Sequence, residues 1–184
     1  MNAIDETLSA TVENVAPKFS GRVIQVSVES VRLPNGAIAD LEIVRHPGGA
    51  AIVAIDAQQR VCLLRQFRHA ANGWIWELPA GKIDNREPPM HTAQRELGEE
   101  AGMRAAQWRS LGEYLSSPGV FTEVIHLYLA TDLIPTTQQP EEHEVFGVQW
   151  LPLSRALAMA RNGEIRDGKT IVGLFRAHAA ENPE

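Results

Sequence analysis

Cysteine is almost absent from this 184-residue chain, which holds only Cys62. A single thiol excludes an internal disulfide and any cysteine-cluster zinc site. Its place in the apolar run Val61-Cys62-Leu63-Leu64 suits core packing. Long apolar runs are lacking too: none approaches the roughly 20 residues that cross a bilayer. The first residues carry Asp5, Glu6 and Glu13 where a secretory leader would set basic residues before an apolar block. The expectation is a cytoplasmic protein with no membrane partner. Positive charge is scarce, with 17 Lys and Arg against 23 Asp and Glu and a net charge of -6. No basic field is available for a nucleic-acid backbone, so an anionic substrate must be neutralised locally. The six histidines show no close pair at metal-ligand spacing, which argues against a histidine-based zinc site. Ser116 and Ser117 lack the His and Asp pattern of a nucleophilic serine. Repeats, low-complexity tracts and Gly/Ser linkers are not found.

What is present is an ordinary globular composition, 44% hydrophobic and 22% charged. At this length folding buries roughly 70% of the unfolded surface, enough for a core without staples. After a polar arm of about 20 residues, Val23 to Val28 alternates as a strand does, and Pro34-Asn35-Gly36 turns it back through Leu41 to Val44. Ala50 to Ile55 and Val61 to Phe67 read as two strands joined by a polar turn, and Trp74 and Trp76 alternate along another. Trp108 to Tyr114, Val124 to Ala130 and Val145 to Leu151 read as later strands. Helices are expected at Pro89 to Ala101, closed by Gly102, at Ser154 to Arg161, and at Thr170 to Ala180. Strands and helices mixed without strict alternation predict an α/β (α+β) sandwich with a mixed sheet, preceded by an N-terminal antiparallel strand element. The expected division is residues 1–46 as arm and β-hairpin and residues 47–184 as the main domain.

The chemistry concentrates between Gly81 and Met103. Gly81 is followed by five residues and Glu87, then by seven residues and Arg95-Glu96-Leu97-Gly98-Glu99-Glu100-Ala101-Gly102-Met103. On a helix, Glu96, Glu99 and Glu100 stand at i, i+3 and i+4, so their side chains leave one face. Three like charges repel there unless water or hard divalent cations separate them. Magnesium takes octahedral oxygen ligands and keeps positions for phosphate oxygens, which such a cluster suits. Arg95 adds a permanent cation that can hold a carboxylate bidentately. Gly98 costs the helix about 1 kcal/mol relative to Ala, and close approach of another element is one explanation.

This segment resembles the Nudix box at every specified position, a match expected by chance on the order of once in ten million sequences of ordinary composition. The likeness extends to the ADP-ribose pyrophosphatase and nucleotide-sugar hydrolase branch of that family. Arg65-Gln66-Phe67-Arg68, Trp76-Glu77-Leu78-Pro79-Ala80-Gly81, Ser117-Pro118-Gly119 with Glu123, and Glu141-Glu142-His143-Glu144 carry it. The resemblance implies a Nudix-type α/β/α sandwich. It also implies Mg2+-dependent hydrolysis of a nucleoside diphosphate sugar, with ADP-ribose first and GDP-mannose or another such sugar as the alternative. Mn2+ would be a substitute metal. A non-catalytic sensor of the same ligand is the reading from another class.

By the same resemblance the metal ligands are Glu96, Glu99, Glu100 and the Ala80 carbonyl. The proton acceptor comes from Glu99, Glu142 or Glu144, with Glu100 counted among the catalytic carboxylates. Arg65, Arg68, Glu77, Gly119 and Glu123 bind substrate: the arginines clamp the pyrophosphate, Arg68 foremost, and Glu123 accepts hydrogen bonds from a ribose. A homodimer is expected, with residues 20–46 as the exchanged element. Solvated charge would account for the same residues at Arg65, Arg68, Glu123 and the 141–144 loop, so the site rests on geometry.

Overall fold

The computed structural model describes residues 7–140 and 143–181. The chain folds as two compact units. Among the described residues, the first comprises those up to Pro47 together with Ser117–Glu123, and the second comprises Gly48–Ser116 and those from Val124 onward.

The first unit is a three-stranded antiparallel sheet of β1 (Thr11–Ser20), β2 (Gln25–Arg32) and β3 (Ile38–Arg45), in that order. The β2–β3 hairpin closes on a turn in which Leu33 N–H donates to the Ala37 carbonyl at 2.8 Å, with Gly36 at φ +84°. Only a residue without Cβ takes that conformation at no steric cost. β1 was expected as a polar arm. Its alternation is broken by irregularities between Val12 and Asn14 and between Pro17 and Phe19, which hide a strand from a period-two reading. Inside this unit Glu29 is buried, accepting hydrogen bonds from Ser27 Oγ at 2.9 Å and from Arg45 Nη2 at 2.7 Å. The Ser27 hydroxyl first, and Arg45 next, hold its carboxyl below the ordinary range. Residues 117–123, expected within the main domain, run alongside β3. Val44 N–H donates to the Val120 carbonyl at 2.7 Å, and Thr122 N–H donates to the Val44 carbonyl at 3.0 Å.

The second unit contains two sheets. One has the order β10 (Phe146–Pro152), β5 (Arg60–Arg68), β6 (Gly73–Glu77). The other runs β7 (Ala80–Lys82), β4 (Gly49–Ala54), β9 (Val124–Pro135), β8 (Met103–Leu115), with β4 and β9 parallel. β4 is buried along its whole length, as a strand covered on both faces must be. Ala50, Ile52 and Ala54 share a cluster with Ala93, Leu97 and Ala101 of helix α1 (Pro89–Ala101). Val53 and Ile55 face the other way, into a cluster with Leu157 of α2 (Leu153–Arg161) and Leu174 of α3 (Gly168–Glu181). The result is the helix, sheet, helix layering expected. α3 lies close because residue 173 is glycine: a Cβ there would stand 2.8 Å from Leu78 Cδ1 and 3.2 Å from Val53 Cγ2. Among the described residues no helix is long and apolar enough to cross a membrane.

Candidate active site

Helix α1 begins at Pro89 after Pro88 and ends at Gly102, whose φ of +62° lets its N–H reach back to the Gly98 carbonyl at 3.1 Å. Its buried stripe includes Ala93, Leu97 and Ala101, and also Glu96 and Glu100. The helix that packs on β4 by its alanines and leucine therefore carries two carboxylates into the same layer. Glu99 stays partly exposed.

β7 supplies the opposite wall. Ala80 N–H donates to Glu100 Oε2 at 2.7 Å. Gly81 lies directly beneath Glu96, where an added Cβ would fall inside the carboxylate and 2.7 Å from Cγ. This is why the first position of the box excludes a side chain. Gly98 is different: a Cβ there would meet only the Met103 carbonyl, at an ordinary 3.9 Å. Close approach of another element does not explain Gly98.

Arg95 organises the carboxylates. Its Nη1 donates to Glu96 Oε1 at 2.7 Å and to Glu99 Oε2 at 2.8 Å, and its Nη2 to Glu87 Oε1 at 3.2 Å. Glu87 also accepts from Thr92 Oγ1 at 2.8 Å, which first of all, with Arg95, holds its pKa low. Glu87 thus ties the loop to the helix.

Burial pushes Glu100 up to about 9; the Ala80 N–H opposes this, and the charges of Glu96 and Glu144 add to it. Burial likewise pushes Glu96 up to about 7 against the pull of Arg95, with Glu99 and Glu144 raising it further. The charge of Glu144, in the loop before β10, therefore reaches both buried carboxylates. Glu141 and Glu142 lie outside the described residues.

These groups are short of positive charge. Among the described residues no three acidic, His or Cys side chains converge as metal ligands: Glu96 and Glu99 turn to Arg95, and Glu100 turns to the Ala80 amide. Two buried carboxylates with raised pKa values, set against a backbone strand, nonetheless form an all-oxygen donor set that suits a hard divalent cation.

The two arginines of β5 part company. Arg65 pairs in register with Trp76 and its guanidinium lies 5.2 Å from that ring's centroid. Arg68, three residues on, leaves the opposite face, as the two-residue period of a strand requires. A two-arginine clamp is therefore not formed on one face of β5. Arg68 donates from Nε to Glu77 Oε1 at 3.0 Å and from Nη2 to Oε2 at 2.8 Å. Glu77 chiefly, then Glu100 and Asp167, keep the guanidinium protonated, so Arg68 shares its field with the box. Glu77 is 3% exposed and also receives Lys169 Nζ at 2.9 Å. Its pKa stays low although burial works against it, because both cations oppose that cost. Lys169 had drawn no attention in the sequence; its signal was a cation in the first turn of a helix, where the dipole disfavours one.

Gly119 and Glu123 belong to the first unit. Gly119 is exposed, and a Cβ there would meet nothing within 4 Å. Glu123 Oε1 lies 3.4 Å from His46 Nδ1.

Residues 45–172 match the NUDIX domain. An ADP-ribose pyrophosphatase of Bacillus subtilis strain 168 is 38% identical over 158 residues, covering 85% of either chain. A GDP-mannose pyrophosphatase of Salmonella arizonae is 38% identical over 147 residues, covering 74% of this chain and 76% of that one. The crystal structure of an ADP compounds hydrolase superposes with a TM-score of 0.81 over 96% of each chain at 21% identity, a likeness of fold.

Proposed function

Because the chain belongs to the NUDIX domain family, we propose that it is a divalent-metal-dependent pyrophosphohydrolase of nucleoside diphosphate sugars, with ADP-ribose as its leading substrate. Water would cleave the pyrophosphate bond to give AMP and ribose 5-phosphate. The observation that carries the reading is the pair Glu96 and Glu100, buried against Gly81 and Ala80 with Arg95 on one side and the field of Arg68 on the other.

Glu96, Glu99, Glu100 and the Ala80 carbonyl would hold the metal, taken as Mg2+ with Mn2+ as a substitute because every donor is a hard oxygen. When bound, the metal supplies charge neutralisation for the pyrophosphate and lowers the pKa of a coordinated water. Arg68 supplies the remaining positive charge, and Glu77 fixes its fork from behind. Glu144 takes the water's proton in this reading, supported by its influence on Glu96 and Glu100; Glu99 and Glu142 are the alternatives. Glu123, as an acceptor for a substrate ribose, and Gly119, as a substrate-binding residue, are assigned by resemblance alone.

GDP-mannose is the second substrate reading, supported by the relatives named for that activity. A homodimer fits the first sheet, whose Val12, Val15, Phe19 and Ile38 are exposed. Light scattering should then give twice the 20.2 kDa chain mass. The deciding experiment incubates the protein with ADP-ribose and with GDP-mannose, with and without Mg2+, and separates the products. AMP and ribose 5-phosphate formed only with metal support the proposal. GMP and mannose 1-phosphate move it to the second substrate, and no turnover of either refutes catalysis.

A further inference from the structure

Glu77 receives more cation than its own charge requires. Arg68 already satisfies both of its oxygens with a bidentate pair. Lys169 adds a second cation at Oε2, and the same Nζ donates to Asp167 Oδ1 at 3.1 Å. Asp167 Oδ2 in turn accepts the Thr170 N–H at 3.0 Å and the Thr170 hydroxyl at 2.5 Å. The Thr170 hydroxyl oxygen accepts the Leu78 N–H at 2.9 Å. The first turn of α3 is thereby fastened to the residue after Glu77, a link spanning 92 positions of sequence.

A lysine in a helix's first turn meets the positive end of the dipole. Helix formation therefore gives no reason for it, whereas Glu77 does. With Lys169 in place, the carboxylate is restrained from the α3 side and cannot rotate about its last torsion without breaking a charged hydrogen bond. Its two oxygens then present a fixed fork to Arg68, whose side chain is 44% exposed and would otherwise choose among solvated rotamers.

We propose that Lys169 is a positioning residue for hydrolysis, acting through Glu77 to hold the Arg68 guanidinium in the orientation that binds the pyrophosphate. The proposal rests on the role given to Arg68 above. Four charges, Arg68 and Lys169 against Glu77 and Asp167, balance within the network. Replacing Lys169 leaves two carboxylates sharing one arginine, which draws Arg68 off its substrate-facing position.

The test is a double-mutant cycle on kcat/KM with ADP-ribose and Mg2+, with the thermal midpoint measured in parallel. Lys169→Met should lower kcat/KM about tenfold in the native background, as a misplaced charge does, and less than about twofold in an Arg68→Gln background. Lys169→Arg, which keeps the cation, should recover to within about threefold. An equal loss in both backgrounds, or an unimpaired Lys169→Met beside an impaired Arg68→Gln, overturns the proposal alone. Full activity in Arg68→Gln overturns the arginine's role and this proposal with it. If Lys169→Met does not fold, Asp167→Asn takes its place in the cycle. It should show the same dependence on Arg68 with a smaller loss, and additivity there refutes the coupling.

Discussion

Changing Gly81 to alanine tests the geometry of the carboxylate cluster more sharply than removing a carboxylate. The new Cβ would fall inside the Glu96 carboxylate and lie 2.7 Å from Glu96 Cγ. Carbon atoms pack at about 3.5 Å, so Cγ must retreat by roughly 0.8 Å and the carboxylate by more. The obstructed group is the far end of a flexible side chain, so the backbone can stay and stability should fall by less than about 1 kcal/mol. Metal ligation tolerates much less, since sites hold their ligands to within about 0.2 Å of ideal distances. Displacement also breaks the 2.7 Å bond from Arg95. The expected outcome is a kcat loss of about a hundredfold, or about 2.7 kcal/mol of activation free energy, with a raised Mg2+ requirement and a native melting curve. Turnover of ADP-ribose across an Mg2+ titration, beside thermal unfolding, measures both sides of that statement. Activity and Mg2+ dependence within about twofold of native would refute the proposed role of Glu96 as a metal ligand held above a residue 81 without a side chain.

Gly98 should behave in the opposite way: with no close neighbour, Gly98→Ala should stabilise the chain by about 0.5 to 1 kcal/mol and raise Tm by a few degrees at full activity. A loss of activity in that variant would reveal an approach to Gly98 made only with substrate bound. Glu100→Gln should cost a hundredfold or more in kcat while the protein stays folded, and near-native turnover would remove Glu100 from the site. Glu29 offers a pH test remote from catalysis. Its folded pKa lies below the unfolded value, so its contribution is complete above about pH 4.5 and disappears as pH falls through the folded value. Glu29→Gln should therefore cost about 1 to 3 kcal/mol at pH 7 in denaturant unfolding, and the gap to native should close as the pH falls below the unfolded value and through the folded one. A gap that does not change with pH would show that the charge is immaterial.

The box itself was legible because helical spacing is a local property. Once Pro89 to Ala101 forms a helix, Glu96 and Glu100 must share a face, and Gly102 must close it. The hydrophobic pattern likewise settled β4 and β5, whose apolar runs admit burial on both faces. What neighbours in sequence could not settle was which distant groups meet. β1 escaped notice because two irregularities and Pro17 interrupt its alternation. The separation of Arg65 from Arg68 follows from strand period, yet only the folded sheet gave each arginine its partner, Trp76 opposite Arg65 in register and Glu77 reached by the Arg68 side chain along β6. Residues 117–123 pair with β3 through backbone hydrogen bonds, which carry no side-chain signature. The tie between Lys169 and Glu77 spans 92 positions and exists only because α3 packs on β4 through Gly173. Composition and spacing therefore determined the chemistry available to this protein, while chain packing decided which charges hold one another, because electrostatic contact depends on distance in space and not along the chain.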